Sequence, residues 1–123
     1  MKILVTDDSK MARKMVIKTL TEILGDDVEI HEAQNGQEAL DLYKQISPNI
    51  AFLDLTMPIM DGFEALEKIK EFDSNAKVVI ISADIQKLSM DKALQLGAFN
   101  FIKKPIDLEK MQQILNKINE LDK

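Results

Sequence analysis

Ile50-Ala51-Phe52-Leu53 and Val78-Val79-Ile80-Ile81 are continuously apolar, and neither run offers water a polar face. A half-exposed strand alternates, so runs of this kind belong to strands covered on both sides, as in parallel sheets buried between helices. Three more short runs, Ile3–Thr6, Val28–Glu32 and Phe99–Ile102, read as strands. Between them the period changes. Ala39, Leu42, Tyr43 and Ile46 sit at i, i+3, i+4 and i+7, as do Met111, Ile114, Leu115 and Ile118, so each set forms one apolar stripe on a helix. A first helix over Lys10–Leu24 is carried by Met11, Ala12, Met15, Val16, Leu20 and Ile23, and a fourth over Ile85–Leu96 has scattered apolar positions. Asn35-Gly36-Gln37-Glu38 and Asp61-Gly62-Phe63-Glu64 are capping-box-like helix starts, and Gly97 is a helix stop. Asp26-Asp27 reads as a solvated loop before the second strand. The alternation gives βα units in series, hence an α/β fold with a parallel sheet and right-handed crossovers.

The 123 residues form one domain, long enough to bury a core without staples, and the lack of cysteine removes disulfides, thiol catalysis and Cys-type zinc sites. The formal charge is −5, and the first half, residues 1–61, holds the whole acidic excess. An acidic surface without a basic stripe argues against nucleic acid as a partner. No stretch is long enough to span a bilayer, and Thr6-Asp7-Asp8 ends the apolar start too soon for a signal peptide, so a cytoplasmic location is expected.

In an open α/β sheet the ligand site lies beyond the carboxyl ends of the strands. Asp7 and Asp8 follow the first strand, Asp54 the third, Ser82 the fourth, and Lys103, Lys104 and Pro105 the fifth. Strand ends face solvent and Asp caps helices, which accounts for any one of these residues. It accounts poorly for the set, because Asp54 follows four apolar residues with no turn that needs a carboxylate. If the first and third strands are neighbours, three carboxylates converge, and a cation must compensate or a proton must be retained. Oxygen ligands of this kind suit Mg²⁺.

Thr6-Asp7-Asp8-Ser9, the stretch from Leu53 to Gly62 (LDLTMPIMDG), Ile81-Ser82-Ala83 and Phe101-Ile102-Lys103-Lys104-Pro105 together resemble the receiver domain of bacterial two-component response regulators, of the CheY-like single-domain type. The resemblance covers essentially the whole chain in order. It implies a flavodoxin-like doubly wound (βα)5 three-layer sandwich with strand order 2-1-3-4-5, residues 1–123 being a single receiver domain with no output domain. It implies Asp54 as phosphoryl acceptor from a histidine kinase. Mg²⁺ would be held by Asp8, by Asp7 mainly through water, by Asp54, and by the backbone carbonyl of Thr56. Lys104 and Ser82 would contact the phosphoryl group, with a cis Lys104–Pro105 bond.

The same resemblance makes Ser82 and Phe101 the switch of an α4-β5-α5 face, and places Thr56 and Asp84 where they tune self-hydrolysis. The downstream partner would be a protein such as a flagellar motor switch or another relay protein, with chemotaxis the pathway the resemblance favours and the chain a monomer or weak dimer. Such a domain catalyses only its own phosphorylation and dephosphorylation. Phe101 also fits plain core packing, and its alternation with Phe99 points both rings to one side of a strand. His31 reads as a solvent-facing or edge residue, and the seven methionines as core filling.

Two other readings share the architecture. A haloacid-dehalogenase-like Mg²⁺ phosphatase also uses an Asp at a strand end, but needs a second Asp where Thr56 stands. A flavodoxin-like FMN carrier needs a Ser/Thr/Gly-rich phosphate loop after the first strand, and the aromatic content is only 5%.

Overall fold

The computed structural model describes residues 1–83 and 86–121. Five strands, β1 (Lys2–Thr6), β2 (Glu29–Ala33), β3 (Ile50–Leu53), β4 (Val78–Ser82) and β5 (Asn100–Lys103), alternate with α1 (Lys10–Leu24), α2 (Gly36–Ile46), α3 (Gly62–Phe72), α4 (Lys87–Gln95) and α5 (Leu108–Leu121). All strand pairs are parallel and the sheet order is β2-β1-β3-β4-β5. This is the flavodoxin-like (βα)5 sandwich expected from the sequence.

Side chains alternate across the sheet and divide the core in two. Ile3, Val5, Ile50, Phe52, Val79, Ile81 and Ile102 join α1 and α5 residues on one face, among them Val16, Leu20, Met111 and Ile118. Leu4, Ala51, Leu53, Val78 and Ile80 join α2 and α3 residues on the other, among them Tyr43, Leu66 and Ile69. The two continuous apolar runs are therefore apolar because each successive residue serves a different helical layer.

Helix starts follow their caps. Asn35 accepts from the Glu38 N–H at 2.9 Å and Asp61 from the Glu64 N–H at 2.9 Å. Ser9 caps α1 by accepting from the Ala12 N–H at 3.2 Å. Gly97 leaves α4 with φ +101°, where a Cβ would be strained.

Several expectations shift. β2 begins and ends one residue later than read, because Ala33 pairs with Thr6. Ser82 and Lys103 are the last residues of β4 and β5, and they pair across the sheet instead of following the strands. Asp26-Asp27 closes a short 3₁₀ turn, Gly25–Asp27. Phe99 and Phe101 pack against opposite core layers, since Phe99 precedes β5 and lies outside its pleat. Met57, Met60 and Met111 fill the core, but Met11 is 73% and Met15 54% exposed on α1. α4 buries only Ala93, in keeping with its scattered pattern. His31 lies on the edge strand β2, with its Nε2 2.8 Å from Glu29 Oε2.

Candidate functional site

Because β1 lies beside β3, the chain leaving each strand emerges at one place. The Asp54 N–H donates to the Thr6 carbonyl at 3.1 Å and the Asp7 N–H to the Ala33 carbonyl at 3.2 Å, extending the ladders one residue past the strands. Asp7, Asp8 and Asp54 each offer a carboxylate oxygen, and these atoms all lie within 4.8 Å of one another. Asp7 is 5% and Asp54 8% exposed, whereas Asp8 faces solvent. The neighbouring-strand condition set by the sequence is met.

Lys104 reaches into this group from beyond β5. Its Nζ lies 2.8 Å from Asp7 Oδ2 and 3.5 Å from Asp54 Oδ1. The Lys104 N–H donates to the Ser82 carbonyl at 2.9 Å, and the Lys104–Pro105 bond is cis. Burial alone would lower the lysine pKa, but the hydrogen bond to Asp7 and the charges of Asp54 and Asp7 hold it above its ordinary value. Burial raises the Asp54 carboxyl above the usual range, and the nearby Asp7 charge adds to that, with Lys104 pulling the other way. One ammonium thus faces three carboxylates. The pocket carries uncompensated negative charge lined by hard oxygen donors, which fits a small divalent cation and suits Mg²⁺ in particular.

The remaining residues expected at the site are spread around it. Ser82 is 2% exposed at the end of β4. Thr56 is exposed in the β3–α3 connection, and Phe101 is half-buried in β5, paired with Ile80. Asp84 lies outside the described residues. A groove of about 500 Å³ opens beside the site, lined by Met15, Val16, Ile81, Lys104, Pro105 and Ile106 among others.

Arg13 belongs to this neighbourhood and nothing in the sequence marks it. It is 7% exposed on α1, and its Nη1 donates to the Asp7 carbonyl at 2.7 Å. Its Nε donates to Glu32 Oε1 at 2.9 Å. A lone arginine early in a helix reads as surface charge; its burial depends on β2 lying beside β1.

The chain matches the response regulator receiver domain family over residues 3–116. It is 36% identical to the chemotaxis protein CheY of Thermotoga maritima, covering 97% of this chain and 98% of that protein. It is 45% identical to CheY of Treponema pallidum, covering 89% and 76%. Among solved structures, the complex of CheX and CheY with BeF3 and Mg²⁺ from Borrelia burgdorferi contains a chain that superposes with a TM-score of 0.87 at 36% identity. That match covers 95% of this chain and 87% of the other.

Proposed function

The chain belongs to the response regulator receiver domain family, whose role is phosphoacceptor signalling in two-component systems, and on that premise we propose that it is a switch phosphorylated on Asp54 by a histidine kinase. The observation that carries this reading is the convergence of Asp7, Asp8, Asp54 and Lys104 at the carboxyl ends of β1, β3 and β5.

Asp54 is the nucleophile. A carboxylate oxygen attacks the phosphorus of a phosphohistidine, the new O–P bond forms as the N–P bond breaks, and the departing imidazole takes up a proton. The product is an acyl phosphate. Asp54 suits the task because it is held by the sheet ladder at its own N–H and aimed into a pocket that already contains Lys104. Phosphoryl transfer is mainly positioning and charge stabilisation. Lys104, held between two carboxylates, is placed to follow the charge as it moves onto the phosphoryl oxygens. Asp7, Asp8, Asp54 and the Thr56 carbonyl would hold Mg²⁺. When bound, that ion supplies positive charge around the transferring group.

The hydroxyl of Ser82 is to engage the phosphoryl group, and the half-buried ring of Phe101, in the neighbouring strand, is to turn inward in response. The α4-β5-α5 face then recruits a downstream protein. A hydrogen bond that biases a bistable ring is enough physics for such a switch. The similarity to CheY proteins favours a chemotaxis partner. We place the protein in the cytoplasm; among the described residues no helix is long and apolar enough to cross a membrane. Thr56 and Asp84 are assigned to tuning the acyl-phosphate lifetime.

The test is incubation with a small phosphodonor and Mg²⁺, followed by intact mass. The wild type is expected to gain one phosphoryl group, and Asp54→Asn none. Equal Mg²⁺-dependent labelling of the variant would remove the assignment of Asp54. Steady turnover of simple phosphate esters would favour the phosphatase reading instead.

A further inference from the structure

We infer that Arg13 is a positioning residue for the cation site, acting through the peptide unit that joins Asp7 to Asp8. The inference rests on the receiver reading of the three carboxylates and adds a residue to it.

Asp7 is held at four points. Its N–H donates to Ala33 in β2, its Oδ1 accepts from the Ser9 N–H at 2.9 Å, its Oδ2 accepts from Lys104, and its carbonyl accepts from Arg13. Three of these orient Asp7 itself. The fourth does something different: the Asp7 carbonyl is part of the planar peptide unit whose nitrogen belongs to Asp8. A peptide unit is rigid, so fixing its carbonyl fixes the direction from which Asp8 leaves it. Asp8 is the exposed member of the trio, and among the described residues its carboxylate has no protein partner of its own to orient it. Its aim is set through its backbone.

Arg13 suits this work for two reasons. Its guanidinium is a planar fork, so the bond to Glu32 Oε1 fixes the plane in which the bond to the Asp7 carbonyl must lie. It also joins three elements, because Arg13 is in α1, Glu32 in β2, and Asp7 at the end of β1. A buried arginine of this kind is a costly way to add stability alone.

Electrostatics and positioning predict opposite signs, which makes the matter testable. A guanidinium beside a cation site repels the cation. If charge were all that mattered, Arg13→Met would tighten Mg²⁺ binding. If Arg13 positions Asp8, the same change weakens it, by about tenfold on the scale seen when supporting contacts to metal ligands are removed. Arg13→Lys keeps the charge but cannot reproduce the fork. Charge alone leaves its affinity unchanged, and positioning weakens it by a smaller factor.

The experiment is Mg²⁺ titration of the full chain followed by amide ¹H–¹⁵N spectra, alongside phosphorylation by a small donor. Expected are weaker Mg²⁺ binding in both variants and displaced Asp7 and Asp8 amide signals before any metal is added. The rate at saturating Mg²⁺ should stay near that of the wild type. If Arg13→Met fails to fold, Arg13→Lys decides the question. Variants that bind Mg²⁺ as tightly as the wild type, or more tightly, overturn the inference and leave the receiver reading standing. A wild type that neither binds Mg²⁺ nor takes a phosphoryl group overturns both.

Discussion

Thr6 closes β1 with a hydroxyl that is sealed from solvent and has no hydrogen-bond partner among the described residues. One residue later, every polar group of Asp7 is satisfied. The contrast marks a cost, since an enclosed hydroxyl loses its water without a replacement. Thr6→Val keeps the branched shape and the strand preference while removing the orphan oxygen. It is expected to stabilise the protein by about 1 kcal/mol, read as a higher urea midpoint at unchanged slope. A lower midpoint would mean that the hydroxyl holds a buried water worth more than the methyl that replaces it. At this scale the sequence was informative where local chemistry had no other use for a residue. Asp54 after four apolar residues is such a case, whereas Lys104 is told apart from Lys103 only by the resemblance to receiver domains. The sequence was silent where burial is decided by distant chain, which is why neither the orphan of Thr6 nor the buried fork of Arg13 could be read in advance. Met11 and Met15 misled for the same reason: both sit at helix-period positions, but the stripe that meets the sheet is set by Val16 and Leu20.

The β3–α3 connection is tightly built around Asp54. Gly36 donates its N–H to the Met60 carbonyl and Gly62 to the Leu55 carbonyl, each at 2.9 Å. Neither tolerates a side chain, as a Cβ would stand 2.4 Å from the Met60 oxygen or 2.2 Å from the Asp54 oxygen. Between these two clamps Ile59 is held at φ +69° and 81% exposed. A branched residue rarely accepts left-handed backbone, and its exposure leaves little burial to offset the strain. Ile59→Asn relieves that strain without the extra unfolded-state freedom of glycine. We expect a gain of about 1 kcal/mol in urea unfolding, with small-donor phosphorylation unchanged. A loss of stability would show that the Ile59 side chain has contacts that outweigh its backbone. The helix starts on either side were legible because a cap is a local signal of a few residues. Strand ends slipped by one because pairing partners, and not local preference, decide where a strand stops. Phe99 went to the wrong layer for that reason, as alternation holds only inside the paired segment.

Across the whole molecule, the fold and the charge distribution oppose each other at one point. The sheet brings β1 and β3 together, and three acids of a chain with net charge −5 meet just past the carboxyl ends of these strands. Asp54 bears part of the cost. Its carboxyl is raised first by burial and then by Asp7, so its ionised form is less favoured in the folded state than in the unfolded chain. For a raised carboxyl the sign is fixed: the contribution to stability is full below its unfolded value and is lost as pH rises through its folded value. Asp54→Asn removes that loss. Without metal the variant is expected to melt above the wild type at pH 7, and the difference should close as pH falls into the carboxylate range. Mg²⁺ should reverse the order, because binding to the folded state stabilises it by mass action, about 2.7 kcal/mol when the free ion is 100 times its dissociation constant. The wild type keeps all three carboxylates and so gains more than the variant. Thermal melts of both proteins across this pH range, with and without Mg²⁺, check the whole pattern. If Asp54→Asn melts lower than the wild type without metal at pH 7, the ion pair with Lys104 outweighs burial and the pocket is stable when empty. If it melts higher and Mg²⁺ restores the wild type, the same convergence that strains the folded chain is what makes it a cation site.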